Sequence, residues 1–338
     1  MIPNPSSMPR SVHTDEITRH MFVATADRNY LLARIAHLHA LDTDFWWLSM
    51  HALEKYLKAI LLLNGHSAKN AGHDLVKLVA VVRALDKKIN FGPFADPQIT
   101  NLHWRASSVE AFLLRLNEYG SAQNRYLTYG HTASLDDLVK VDQLVWSVRR
   151  HCIPFKIELG EPGHERTFDR LQELVAQPDR WRLGGTLPIE QVMGRPETDG
   201  LHNSLMRLNT AFNPDGDLRV DGWRVSASNP PLAQWFDRLR SPNASKDTRD
   251  TSAEVLQWSL DNVYFGKPDR LIIERELLDA GYAPPSPPAP APAPPAIPAA
   301  VGSGPASSGP RVGAKARAVL TQLWRTLRNG RNGGGRHG

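Results

Sequence analysis

A single cysteine, Cys152, stands among the 338 residues. No intramolecular disulfide and no thiolate-rich metal site can form, a usage that suits a reducing cytoplasm. Long apolar runs are missing as well: none exceeds 59–63, which is far too short to cross a bilayer. The opening Met1-Ile2-Pro3-Asn4-Pro5 lacks the charged-then-apolar order of a secretory signal. There is no Gly-rich phosphate loop, no nucleophile elbow and no zinc motif, so neither a cofactor nor a metal is expected. Most of the chain also lacks an excess of one charge. The net charge is +5, yet Arg311, Lys315, Arg317, Arg325, Arg328, Arg331 and Arg336 sit in a tail without one acid. Without those seven, 33 basic residues face 35 acidic ones. The basicity therefore belongs to the tail, and the rest is not a generic polyanion binder.

What is present is a run of helical patterns. With 41% hydrophobic and 22% charged residues the composition is that of a globular protein with a sizeable core. A helix is expected over about 15–40, with Phe22, Ala26, Tyr30, Ala33 and Ile35 turned inward. Asp42 or Asp44 can cap the next helix, which carries Phe45, Leu48, Ala52, Tyr56, Ala59 and Leu63 at spacings of three and four and ends at Gly65. A second apolar stripe (Trp46-Trp47, Met50, Leu53, Leu57, Leu61) lies beside the first. Such a helix is either central to its bundle or shares a face with a partner chain, and the tryptophans favour a seam between two copies.

A shorter helix opens at His73-Asp74, a fourth is expected on Ile99, Leu102, Val109, Phe112, Leu113 and Leu116, and a fifth starts at Ser134 with Asp137 completing a capping box. That fifth helix buries Leu138, Val141, Val145, Val148 and Cys152. The expected fold class is all-α: an antiparallel helical bundle over 14–153, then a mainly helical accessory region over 155–283. Helices are expected there at 165–176, 201–211, 232–239, 252–264 and 271–280, with a strand-like piece at Trp223-Arg224-Val225. The accessory region is either a second small domain or an extension of the bundle. A Pro/Ala-rich linker, 284–310, without core-forming residues, and a basic amphipathic tail, 311–338, in which Val319, Leu320, Leu323, Trp324 and Leu327 share a helical face, complete the chain as a disordered end.

The stretch from Ser49 to Gly65, with its Leu53-Glu54-Lys55-Tyr56-Leu57-Lys58-Ala59 and leucine run, followed by Gly72-His73-Asp74-Leu75, resembles the HEPN family over residues 20–152. The resemblance implies a four- or five-helix bundle that commonly forms a homodimer. Many members are metal-independent ribonucleases of toxin–antitoxin and other defence systems. Others are non-catalytic and bind RNA, a nucleotide or a partner nucleotidyltransferase. The ribonucleases carry an Arg, four to six residues and a His near the start of the last bundle helix. Arg125 and His131 match in spacing and place. The residue after the Arg is usually Asn, Asp or His in catalytic members; Tyr126 stands here, as it does in members without the catalytic His.

Metal-free RNA cleavage needs a base for the 2′-hydroxyl, which His131 can supply, and a permanent cation for the phosphate, which Arg125 can supply. Gly130 interrupts any helix between them, so the two can converge in a loop. The alternative pairs Arg125 with a carboxylate and leaves His131 on the surface. Lys55 and Lys58, with Tyr126, are the weaker candidates for nucleotide or RNA contact, and Glu54 to Lys58 also suits an i,i+4 ion pair. His51 with Glu54, and His37 with His39, each lack a third metal ligand. His73-Asp74 reads as a helix cap. The basic tail can meet nucleic acid or an anionic membrane surface, or dock a partner such as an antitoxin.

Overall fold

The computed structural model describes residues 10–282 apart from 129, 160–165, 178–180, 184–185, 215–219, 221–224, 229 and 264, and the backbone alone for 10, 125, 157–159, 166–168 and 228. The linker, the basic tail and the Trp223-Arg224 pair lie outside the described residues. The remainder belongs to one compact unit, Met1–Ser286.

The first helical run is α1 (Arg10–Thr18), a π-helical turn (Arg19–Val23) and α2 (Ala24–Leu38). A short turn with Ala40 in the left-handed region leads into α3 (Asp42–Leu63), the longest helix. Its N-cap is Leu41 rather than an aspartate, with no side-chain cap; Asp42 is buried in the first turn and accepts instead from the Ser226 hydroxyl. α3 packs along α2 and also meets α4 (Leu75–Arg83), α5 (Val109–Tyr119) and α6 (Leu135–Arg149). Most of both apolar stripes is consumed by these neighbours. Trp46, Met50, Leu53, Leu57 and Leu61 are each at most 5% exposed and belong to the interior, while Trp47 and Leu48 stay partly exposed.

Two helix starts follow the sequence. Asp74 accepts from the N–H groups of Val76 and Lys77 at 3.0 and 3.3 Å, which satisfies donors that α4 leaves free. Ser134 and Asp137 form the reciprocal box at the head of α6. The expected fourth helix begins later than its apolar residues suggest. Pro93 and Pro97 break the chain, Ser108 caps α5, and Ile99 joins a small cluster with Val139 and Leu208 instead of a helix face. Gly120 ends α5 where a side chain has no room: a Cβ there would sit 2.5 Å from the Trp46 carbonyl oxygen.

The all-α expectation holds for the bulk of the structure, but four short strands stand among the described residues, of which only β4 was foreshadowed, by the strand-like piece ending at Val225. β1 (His131–Ser134) pairs antiparallel with β4 (Val225–Ser228), in register His131 to Ser228. β2 (Lys156–Leu159) pairs with β3 (Arg166–Asp169), which runs straight into α7 (Arg170–Ala176) capped by Asp169. α8 (Pro188–Met193) and α9 (Gly200–Met206) follow. Leu171, Leu174, Leu183, Ile189, Val192, Leu205 and Phe212 enter the same hydrophobic core as the bundle, so this part of the accessory region is an extension of it. α10 (Ala233–Arg240), α11 (Lys246–Asn262) and α12 (Lys267–Asp279) instead close a small core of their own around Leu239, Leu256, Leu260, Ile273 and Leu277.

Two ion pairs inside the core set how α2 lies against α6. Arg149 grips Asp27 with Nε and Nη2 at 2.8 and 2.9 Å, and the Tyr56 hydroxyl donates to the same carboxylate at 2.6 Å. Arg34 binds Asp142, whose other oxygen accepts from the Tyr30 hydroxyl at 2.7 Å. All four charged side chains are fully buried. Asp27 and Arg34 are two helical turns apart on α2, as are Asp142 and Arg149 on α6, so the pairs fix an antiparallel register. Breaking one leaves an uncompensated charge in the core. Arg149→Met is expected to cost about 3–5 kcal/mol of unfolding free energy in urea titrations. Arg275→Ala, in an ion pair on the exposed side of α12, is expected to cost less than about 0.5 kcal/mol.

Candidate functional site

The segment joining α5 to α6 carries Arg125, Tyr126 and His131. It begins as a 3₁₀ turn (Ala122–Tyr126), capped by Ser121 and held down by buried Asn124, which donates to the Tyr119 carbonyl at 3.0 Å. Leu127, with φ of 55°, closes the turn, and Thr128 donates back to the Gln123 carbonyl at 2.9 Å. Tyr126 is exposed. Arg125 has its backbone in this turn, while its side chain lies outside the described residues.

His131 is neither in a loop nor on the surface. It is the first residue of β1, 3% exposed, with its ring 6.0 Å from that of Tyr119. Among the described residues neither ring nitrogen has a hydrogen-bond partner. Burial therefore holds the imidazole below its ordinary pKa, against a smaller opposing pull from Asp42. The connection thus brings Arg125 and His131 onto one segment, with the imidazole closed off from solvent.

The second concentration of chemistry lies on α3. This helix is so enclosed that Trp47, His51, Lys55, Lys58 and Leu62 form a single partly exposed stripe along most of its length, at the three- and four-residue spacing of one face. Glu54 sits at its inner edge, 8% exposed. Lys58 Nζ donates to Oε1 at 2.6 Å, the ion pair expected from the spacing. His73 Nδ1 meets the same oxygen at 2.9 Å, from the loop ahead of α4, and His51 Nδ1 lies 3.4 Å from Oε2. Burial pulls the Glu54 pKa up, but the donors from His51 and Lys58 outweigh it and hold the carboxyl at about 2. Lys55 makes no ion pair among the described residues, and burial lowers its pKa. The Trp47 ring stands edge-on to His51 at 4.0 Å.

Lys55 and Lys58 therefore share one stripe of α3, a helix that also meets the 3₁₀ turn and β1 of the Arg125–His131 segment. Sequence reasoning missed His73 as a partner of Glu54. Its neighbour Asp74 does cap α4, as expected, and Asn117 Nδ2 donates to that cap at 2.9 Å. Gly72, at φ of 70°, bends the preceding loop so that His73 points back to α3. A loop histidine next to a helix cap gives no local sign of a partner nineteen residues earlier.

Acidic groups near α6 have structural duties. Arg105 binds Asp136 at 2.8 and 3.1 Å, Arg115 binds Asp137 at 2.9 Å, and the buried Lys140 ammonium returns to Asp136 at 2.7 Å. Cys152 is buried, and burial pushes its thiol well up, so it is not a nucleophile. Among the described residues no group of three or more His, Cys, Asp or Glu side chains is placed to hold a metal ion. No described helix is long and apolar enough to cross a membrane. In comparisons with protein-family models, curated proteins and solved structures, nothing matches the chain.

The two sites respond to acid in different windows. Glu54 has a depressed folded-state pKa, so its stabilisation is complete above about pH 4.5 and is lost as pH falls toward 2. Glu54→Gln is expected to flatten the stability profile in that window, measured by urea midpoints at successive pH values. His131 is held neutral, so the unfolded chain takes up its proton first and stability declines as pH falls through 6.5. In His131→Leu that part of the decline is expected to disappear.

Proposed function

We propose that this chain is a HEPN-like helical module that binds a phosphate-bearing ligand, RNA or a nucleotide, and that it does not cleave RNA through Arg125 and His131. The observation carrying this reading is the partly exposed stripe of the central helix α3. It presents His51, Lys55 and Lys58, joined by His73, around a carboxylate whose charge is already compensated. Lys55 is a partly desolvated ammonium with no ion-pair partner among the described residues, the state in which an anionic ligand gains most. Lys58 donates one hydrogen bond to Glu54 and keeps further N–H donors for a phosphate oxygen. Trp47 adds an aromatic face beside the cations, suited to a base. The resemblance of residues 20–152 to the HEPN family supports the same ligand class, and a homodimer and a nucleotidyltransferase or antitoxin partner belong to this proposal.

A second reading, a metal-independent ribonuclease acting as a dimer, is favoured by one observation: Arg125 and His131 bracket one connection. It needs His131 to leave an environment in which it is 3% exposed. The chemistry would be proton abstraction from a 2′-hydroxyl by the imidazole, with the guanidinium stabilising the phosphorane.

Titration of the full chain with a fluorescent single-stranded RNA in chelator-containing buffer separates the two. Saturable binding without turnover is expected. Lys55→Ala is expected to weaken binding about tenfold, the size of one charge-assisted hydrogen bond. It should also lower the slope of log affinity against log salt by about 0.7. Metal-independent cleavage that disappears in His131→Ala would establish the ribonuclease reading instead.

A further inference from the structure

We infer that residues 225–282 are a closing element seated on the connection between α5 and α6, one that opens as a unit and thereby controls access to His131. This goes beyond the phosphate-binding reading and does not rest on it.

Three contacts place the element on that connection. β4 lies beside β1 through four residue pairs, with Ser228 opposite His131 and Ala227 opposite Thr132. The Ser226 hydroxyl reaches the Asp42 carboxylate at the head of α3. Gly266, in the turn between α11 and α12, sits on Gln123 of the 3₁₀ turn so closely that a Cβ would lie 2.5 Å from its side-chain nitrogen. Both ends of the candidate segment, the 3₁₀ turn and the strand, are therefore touched from outside the bundle by this element.

Its internal construction makes separation feasible. Leu239, Leu256, Leu260, Ile273 and Leu277 are buried against one another and form no part of the large core. Tyr282 closes the element's end by donating to Asp250 at 2.7 Å, and Arg240 reaches Glu276 at 2.6 Å. Lifting it off the bundle therefore leaves both hydrophobic cores assembled. Among the described residues, what separation breaks includes the four-residue ladder, the Ser226 hydrogen bond to Asp42 and the packing of Gly266 on Gln123. Units bound in this way open at a fraction of the global unfolding free energy. Among the described residues the imidazole has no hydrogen-bond partner to lose.

The test uses a reversible lock. Thr132 and Ala227 face each other across the ladder and are both exposed. Opposed residues of antiparallel strands have a Cα separation within the range a disulfide spans. Cys152 is the only native cysteine and is buried, so it does not compete. Two readouts on the full chain apply to T132C/A227C, oxidised and reduced: amide hydrogen exchange, and modification of His131 by diethyl pyrocarbonate. In the reduced form β1 and β4 are expected to exchange together, faster than α3, while α11 stays protected. Oxidation is expected to slow both strands and His131 modification at least tenfold, with recovery on reduction. A second variant, Ser226→Ala, removes the tie to Asp42 and is expected to speed His131 modification several-fold without a change in far-ultraviolet circular dichroism. The inference is overturned if β1 and β4 exchange only at the rate of α3, if α11 loses protection along with β4, or if neither variant alters His131 modification.

Discussion

The contact on which the rest of the structure depends is the Asp27–Arg149 pair. It joins residues 122 positions apart in sequence, and both side chains are fully buried. Desolvating a carboxylate and a guanidinium is costly, and their attraction offsets that cost only where geometry and further hydrogen bonds are good. Here the guanidinium grips bidentately, Tyr56 of α3 donates to the carboxylate, and the Ile189 amide donates to it at 3.2 Å. The arrangement draws α2, α3 and α6 to one point. Its companion, Arg34–Asp142, has the charges exchanged between the helices. A slip of two turns would set Asp27 against Asp142 or Arg34 against Arg149, so the pairs select one register as well as stabilising it.

The same pairs explain why the region after Pro154 is not a separate appendage as far as Phe212. An arginine inside a core has five N–H donors to satisfy, and one carboxylate cannot accept them all. Arg149 sends Nη1 to the Trp181 carbonyl at 3.0 Å, and Arg34 sends Nε to Ser204 at 2.9 Å and Nη2 to Arg207. Asn209 donates to the Tyr30 hydroxyl at 3.0 Å. The backbone carbonyls of the extension thus complete the hydrogen bonding of the bundle. Residues from β4 onward reach the bundle through the β1–β4 ladder and the Ser226 bond to Asp42, but their helices close a core apart from the main one.

This construction also determines where chemistry can reach solvent. α3 is enclosed by α2, α4, α5 and α6, which leaves the His51–Lys58 stripe as its outlet. Glu54 at the base of that stripe is kept ionised by the donors around it, so it can hold His73 and Lys58 in place over the usual pH range. The Arg125–His131 segment has a different character. Its imidazole lies on the buried face of β1 with its ring 6.0 Å from that of Tyr119, and β4 runs along the edge of that strand.

The sequence by itself determined the local features whose causes are local. The apolar spacing of α3, the Asp74 cap, the Ser134–Asp137 box and the Glu54–Lys58 pair were legible because each depends on residues within one or two helical turns. Helices α10 and α12 were legible for the same reason, whereas β3 takes the start of the expected 165–176 helix, α9 stops at Met206 rather than 211, and α11 begins at Lys246 rather than 252. Only the tertiary structure decided what depends on distant partners. That Trp46 is core and not a seam follows from Phe112, Arg115 and Tyr119 of α5 packing against it. That Asp42 accepts from Ser226 instead of capping α3 follows from β4 arriving beside it. The strands β1 and β4 lie more than ninety residues apart, and a four-residue strand carries too short a pattern to announce its partner. His131 was identified by its spacing from Arg125, yet its burial on the inner face of β1, beside Tyr119, comes from the tertiary packing and is not legible in the residues near it.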